Sequence, residues 1–302
     1  WYPLWDAGLQ VDHSVRTVRE AVTEADRDLK VAMGLLDARV VHGDTNLGEA
    51  LIAKVRTAWR SQAGRRLPAL DEATVERHEQ AGAVAFLLEP DLKEGHGGLR
   101  DLTALGALAA STDVVEFDDA LTDAREVLLE IRVELQRITQ RRSNVLGLQE
   151  QDDVAAALAD RDADALMHRV AEAGRTIMWH SDDAWQRVRS GLAGPRRRSS
   201  PGADIELGHG IVLRDGEVVL ADPTFADTAP TVLHVAAAAA HVGAPIARAT
   251  QRALADHTPP FTDRWADESR YAFVALLGAG PQSTIVLETL DRFDLITRIV
   301  PE

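Results

Sequence analysis

The stretch DDALTDAREVLLEIRVELQRITQ runs from Asp118 to Gln140. Its apolar positions Leu121, Ala124, Leu128, Ile131, Leu135 and Ile138 recur at spacings of three and four, so at 3.6 residues per turn they fall on one continuous stripe. A stripe of this length must be covered by other helices, which makes the element a bundle helix and the surrounding chain mainly α. Working outward, helical patterning predicts further helices over about 151–158 and 162–190. On the N-terminal side it predicts them over 14–40, 47–64 and 71–88, with Ser14 and Asp71 as N-caps and Pro68 limiting the second of these. Asp101 is expected to cap a helix that starts at Leu102.

The two ends of the chain read differently. In PLWDAGLQV, Trp5, Ala7, Leu9 and Val11 alternate with Asp6, Gly8 and Gln10, which predicts a strand over about 1–11 with Asp6 on the opposite face from Trp5. Beyond a Pro/Gly/Ser-rich arginine run, GPRRRSSPG from Gly194 to Gly202, the stretch HGIVLRDGEVVLADP predicts a β-hairpin. Its strands are 211–213 and 217–220, and Asp215-Gly216 lies in the turn between them. Helices are then expected at 232–241, 245–255, 267–277 and 284–293. The alanine-rich VLHVAAAAAHV, from Val232 to Val242, is too short to span a membrane and reads as a buried helix.

Composition narrows the function. The 302 residues carry a net charge of −15, which opposes non-specific binding to nucleic acid or to an acidic membrane surface. The absence of cysteine removes disulfides and thiolate metal sites, and nothing in the chain places it outside the cytoplasm. The ten histidines include no His-Glu-x-x-His pair and no adjacent His-Asp dyad in that order, so zinc is not expected, and without a Gly-x-Ser-x-Gly elbow serine-hydrolase chemistry is not indicated. The first residues, WYPLWDAGL, are apolar and aromatic without methionine, and read as the interior of a longer protein.

One loop stands out as a candidate site. EPDLKEGHGGLRD, from Glu89 to Asp101, sets Gly95, Gly97 and Gly98 between Lys93 and Arg100 ahead of an apolar helix. Glycines in such a turn let the backbone approach a ligand and aim N–H groups at an anion, while the two cations neutralise phosphate charge. Gly-Gly turns closed by an aspartate are also ordinary structural joints, and composition leaves both readings open. No Gly-Lys-Ser or Gly-Lys-Thr follows, so the loop is not a Walker loop.

Four stretches together resemble a known family: PLWDAGLQVDHSVRT, GLLDARVVHGD, EPDLKEGHGGLRDL and RSNVLGLQEQDDVAAAL are similar, in order and rough spacing, to the middle of the bacterial PII uridylyltransferase/uridylyl-removing enzymes. The resemblance covers the chain to about Arg189, and the remainder is similar to a more variable region of the same family. It implies the C-terminal end of a polymerase-β-type nucleotidyltransferase domain, its last strand and helix, over 1–45, an associated helical domain over 46–193, a linker over 194–204, and a hairpin-plus-helix region over 205–302.

The resemblance further implies transfer of UMP from UTP, or AMP from ATP, to a tyrosine of the PII signalling protein, with removal when the effector glutamine is plentiful. Mg²⁺ would be the cofactor, held by three carboxylates of which Asp6 matches the last. Lys93, Gly97, Gly98, Arg100, Ser14 and Arg16 are the implied nucleotide contacts, and His96 stands where relatives often have proline. Asp160-Arg161-Asp162, by contrast, reads as a helix start. With one carboxylate of three, the isolated chain is expected to be inactive. Two other readings are a glutamine synthetase adenylyltransferase relative and a non-catalytic helical interaction module. The first of these would place Leu-Arg-Pro after the strand acid, where this chain has Ala7-Gly8-Leu9-Gln10.

Overall fold

The computed structural model describes residues 2–8, 11, 13–112, 115, 117–192, 204–261 and 264–300. The chain divides into two compact units, Trp1–Leu192 and Ala193–Glu302.

The first unit opens on a correction. Where alternation predicts a strand, Tyr2–Asp6 form a helical turn, α1. A strand needs a partner's hydrogen-bond ladder, and among the described residues all three strands lie in the second unit. Local bonds take the backbone instead, with the Ala7 N–H donating to the Pro3 carbonyl at 3.2 Å. Trp1, Leu9 and Gln10 of the expected strand lie outside the described residues.

The long helix predicted over 14–40 is two, α2 (Val18–Arg27) and α3 (Leu29–Leu36). Asp28 separates them: it sits in extended backbone, and its carboxylate accepts the Lys30 and Val31 N–H groups at 2.7 and 3.3 Å. A short acid that captures nearby backbone donors competes with helix continuation. The N-cap of α2 is Thr17 rather than Ser14, because Thr17 and Glu20 close a reciprocal capping box that Ser14 has no partner to make.

Next come α4 (Thr45–Ser61) and α5 (Ala63–Ala81). Pro68 does not stop a helix as expected but lies inside α5. In the second turn it forfeits one backbone bond, and buried Leu67 and Leu70 hold that turn on the core. Asp71 is accordingly interior rather than a cap, and its carboxylate takes two bonds from Arg189 at 2.6 and 2.8 Å. The helix ends at Gly82, whose φ of +68° lies in the region glycine enters freely, so the predicted run to Leu88 is broken there.

After a 3₁₀ turn at Val84–Phe86 come α6 (Leu99–Ala109), α7 (Asp119–Thr139), α8 (Leu148–Leu158) and α9 (Ala163–Leu192). The stripe of α7 behaves as read: Leu121, Ala124, Leu128, Ile131 and Leu135 are buried, and Ile138 is partly so. They pack with Leu166, Val170 and Ile177 of α9 and Val154 of α8 in one core that also takes in Ala25, Ala32 and Trp59. The Trp59 indole is buried with its N–H donating to the Ala107 carbonyl at 2.8 Å, so α4 is tied to α6 by a satisfied polar bond within the core.

In the second unit the hairpin has a third strand that the sequence reading missed. β1 (Ile205–Gly208), β2 (Ile211–Arg214) and β3 (Glu217–Leu220) form an antiparallel sheet in that order. Asp215 and Gly216 have φ of +51° and +85°, and His209 and Gly210 have +52° and +70°. Positive φ at both central residues is the turn that matches strand twist, so both ends of β2 are closed the same way.

The helices α10 (Ala229–Val242), α11 (Arg248–His257), α12 (Asp267–Gly278), α13 (Pro281–Arg292) and α14 (Ile296–Ile299) follow. The alanine-rich α10 is buried along Val232, Leu233, Val235, Ala236, Ala239 and Ala240, against Leu276, Leu290 and Val218. The arginine run at 194–202, read as linker, lies outside the described residues. Among those described, no helix is long and apolar enough to cross a membrane.

The burial pattern of α7 sets a stability test. Leu128→Ala removes a fully buried side chain and is expected to lower the unfolding free energy by about 2–5 kcal/mol. Leu129→Ala, at a position 37% exposed, is expected to change it by less than about 1 kcal/mol. Urea denaturation of the two variants beside the parent chain makes the comparison.

Candidate functional site

The loop from Glu89 to Gly98 is built around one carboxylate. Asp101, expected as the cap of a helix beginning at Leu102, is instead the third residue of α6, which begins at Leu99. Its side chain turns back over the helix start: Oδ2 accepts the Gly97 N–H at 2.7 Å, and Oδ1 faces Arg77 Nη2 at 2.5 Å and His78 Nε2 at 2.8 Å. The residue has no exposed surface. An acid at this helical position is well placed to capture a donor just before the first turn.

The cation beside it is shared. Arg77 also donates from Nη1 to the Glu94 carbonyl at 2.7 Å, so one guanidinium of α5 binds the loop backbone and the helix carboxylate together. Two more layers lie outside this pair. The His78 ring stacks on His96 with centroids 3.9 Å apart, and His96 Nε2 lies 2.9 Å from Asp182 Oδ1 on α9.

The glycines fit this packing. A Cβ on Gly97 would meet the Gly174 carbonyl oxygen of α9 at 2.3 Å, and the φ of Gly97 is +83°. A Cβ on Gly98 would lie 2.8 Å from the Gly95 oxygen, and one on Gly95 would lie 2.7 Å from the Asp91 oxygen. The loop therefore needs glycine for its contacts with its own backbone and with α9.

Its N–H groups are also committed. Those of Lys93 and Glu94 go to Asp91 Oδ1, that of Gly95 to the Asp91 carbonyl, and that of His96 to the Gly82 carbonyl. Those of Gly98, Leu99 and Arg100 go to the carbonyls of Gly95, Leu92 and Lys93. With these donors spent within the chain, what the loop can offer an anion is side-chain charge.

That charge is carried by Lys93 and Arg100, both turned to Glu94. Arg100 makes bonds of 3.2 and 2.8 Å to its two oxygens, and Lys93 Nζ lies 3.4 Å away. Both cations keep solvent contact, with side chains 34% and 47% exposed for Lys93 and Arg100. Burial raises the Glu94 pKa, but the Arg100 hydrogen bond and charge outweigh it and hold the carboxyl below its usual range.

A cleft of about 520 Å³ opens beside the loop, lined by Arg77, Gln80, Ala81, Glu89, Asp91, Glu94 and Val145. Three carboxylates against one guanidinium give it a negative lining, which opposes a bare polyphosphate. Neither Lys93 nor Arg100 lines it.

The other sequence-derived candidates lie apart from the loop. Asp6 ends α1 and is exposed, as are Ser14 and Arg16 in the segment leading to α2. Among the described residues, none of the hydrogen bonds or ion pairs joins these three to Lys93, Gly97, Gly98 or Arg100. A magnesium site needs several oxygen ligands, and none of the metal-competent clusters of the described residues includes Asp6. His78, His96 and Asp101 do converge, but Arg77 already occupies the side of Asp101 that a cation would approach.

Sequence reasoning missed Arg77, His78, Gly174 and Asp182, the residues that fix the loop. Glu94, which pairs with both loop cations, was inside the quoted motif. The partners on α5 and α9 carry no local signal, since Asp182 lies 86 residues from His96.

A second motif is knitted to the first. The Leu92 N–H donates to the Asn144 carbonyl at 2.9 Å and the Leu146 N–H to the Pro90 carbonyl at 3.0 Å, while Glu89 Oε1 accepts the Leu148 N–H at 2.9 Å. EPDLKEGHGGLRDL and RSNVLGLQEQDD are thus two segments of one joint.

Comparison with known proteins converges on one family. A family model described as GlnD PII-uridylyltransferase matches residues 65–117, which hold the whole of this loop. Over its full length the chain is 44% identical to a bifunctional uridylyltransferase/uridylyl-removing enzyme of Streptomyces coelicolor, of which it spans 38%. Proteins of the same description in Mycobacterium tuberculosis and Corynebacterium glutamicum are 39% and 31% identical, again over the whole chain, which spans 39% and 43% of them. No solved structure matches the chain.

Two outcomes test the joint. Gly97→Ala places a methyl group against main chain in a strained φ and is expected to destabilise the chain by at least about 1–3 kcal/mol, read from its denaturation midpoint. The second test uses pH. Burial raises the Asp101 pKa, but the His78 bond and the Arg77 charge lower it further, so its stabilisation is present above about pH 3.9 and lost as pH falls through the depressed value. Burial lowers the His96 pKa, but the Asp182 bond and charge outweigh it, and the net value is raised. That contribution is full below about pH 6.5 and lost as pH rises through the raised value. Asp182→Asn is therefore expected to cost stability at about pH 5.5 and little at about pH 8.5, measured by thermal unfolding in the two buffers.

Proposed function

The chain belongs with the bifunctional uridylyltransferase/uridylyl-removing enzymes over the segment of them that it matches, and on that premise we propose that it serves nucleotidyl transfer to the PII protein. The observation that carries this is similarity along the whole chain to proteins of that one description in three organisms. The group transferred is UMP from UTP, with AMP from ATP as the competing donor to test. Removal of the group, control by glutamine and action in the cytoplasm belong to the same proposal.

Within this reading, Lys93 and Arg100 meet the charge of the nucleotide phosphates. Among the described residues both side chains pair with Glu94, itself partly exposed, so an arriving phosphate exchanges one anion for another instead of breaking into a core. The buried Asp101–Arg77 pair holds the loop in place while that exchange occurs. Gly97 and Gly98 serve by allowing the fold of the turn, and Ser14 and Arg16 are proposed as further contacts from the exposed segment before α2.

Mg²⁺ supplies charge neutralisation and alignment of the phosphoryl group in such transfers. Asp6 would be one of its ligands. One carboxylate does not make a magnesium site.

The test uses the full-length protein encoded by the reading frame that carries this chain, with purified PII and labelled UTP or ATP. Lys93→Ala and Arg100→Ala are each expected to lower kcat/KM for the nucleotide about tenfold or more, equivalent to about 1.4 kcal/mol of transition-state stabilisation. Unchanged kcat and KM in both variants would reject the roles of these two residues. Absence of labelled PII with either nucleotide in the parent protein would reject the reaction itself.

A further inference from the structure

The second unit brings together three metal-competent side chains from elements distant in sequence. His209 stands in the turn between β1 and β2, His234 in the second turn of α10, and Glu268 in the first turn of α12. His234 Nε2 lies 3.0 Å from Glu268 Oε1, and His209 Nδ1 lies 3.7 Å from the same oxygen. The two imidazoles are stacked, with centroids 3.7 Å apart and planes 12° from parallel. All three donor atoms fall within 4.8 Å of one another.

These spacings can be set against what an ion needs. Tetrahedral zinc with bonds of roughly 2.0–2.1 Å holds its ligand atoms about 3.3–3.4 Å apart. The separations of 3.0 and 3.7 Å to the carboxylate oxygen lie on either side of that edge, but a ring nitrogen's lone pair lies in the ring plane, so one of the two stacked imidazoles must turn for both to reach one ion; His209, in a surface turn with its side chain 56% exposed, is the one placed to do so. The elements that carry the residues are well held, since α10 and α12 share the core through Leu233, Ala236, Ala272 and Leu276.

The chemistry of the donors agrees. Zinc takes imidazole in its neutral form. The nearest cation on α12, Arg270, is paired with Asp267. His209 and Glu268 are more than half exposed, at 56% and 57% of their side chains, leaving a solvent-facing coordination position.

We propose that His209, His234 and Glu268 form a binding site for a divalent transition-metal ion of the zinc class, with the remaining position open to water or an added ligand. Two imidazoles and one carboxylate select such an ion over magnesium, which prefers an all-oxygen shell. The proposal stands independently of the transferase reading, because it uses none of that site's residues.

Calorimetric titration of ZnCl₂ into the metal-free 302-residue chain tests it. The parent is expected to bind one Zn²⁺ at this site, with excess Mg²⁺ failing to displace it and with a raised unfolding midpoint in the presence of the metal. His209→Asn keeps a residue that tolerates positive φ and so preserves the turn, and Glu268→Gln preserves α12. Each is expected to weaken binding more than about tenfold while the circular dichroism spectrum stays that of the parent. His241→Ala, at the exposed end of α10, is expected to leave binding unchanged. No zinc binding by the parent, equal affinity in His209→Asn and Glu268→Gln, or displacement by magnesium would each overturn the assignment.

Discussion

The first unit depends on a charge that has no access to water. An ionised carboxylate removed from solvent is tolerated only if its oxygens are met by donors, and for Asp101 three donors come from two places in the chain. Arg77 and His78 belong to α5, and Gly97 to the loop that enters α6. Once the acid is placed, the end of α5, the loop and the start of α6 have one mutual arrangement. The loop's remaining bonds to the segment 144–146 then fix where α8 begins. Burying such a group is costly, but mispairing it costs more, and this favours a single packing over near alternatives.

Much of the architecture was readable because it follows from periodicity. The stripe from Leu121 to Leu135 is buried as its spacing requires, and Asp215-Gly216 closes a hairpin as its dihedral preferences require. The errors share a cause, which is competition that a pattern of apolar residues does not register. Asp28 splits a helix by capturing two N–H groups, and Gln62 and Ala63 begin a helix that runs through Pro68 because buried leucines on either side outweigh one lost bond. The strand expected around Asp6 lacked a partner, and a strand alone satisfies none of its backbone.

The candidate site was legible in composition and misleading in role. Glycines flanked by Lys93 and Arg100 suggest a cradle of N–H groups for phosphate, yet those N–H groups are bound within the loop and the cations rest on Glu94. The residues that hold the loop lie on α5 and α9, and the three-residue cluster of the second unit joins positions 209, 234 and 268. Contacts across such separations are products of packing. A single sequence carries no mark of them, because neither His234 nor Glu268 differs from an ordinary surface residue until α10 and α12 are side by side.

The meeting of Gly97 with Gly174 has a mechanical meaning. Two main chains touch there with no side chain between them, so no rotamer is available to take up a displacement. A force on the charged rim of the loop would pass directly into the long axis of α9, as between two rigid parts in a joint. Lys93 and Arg100 keep solvent contact at the rim, but the platform that carries them moves only if the thirty-residue helix behind it moves as well.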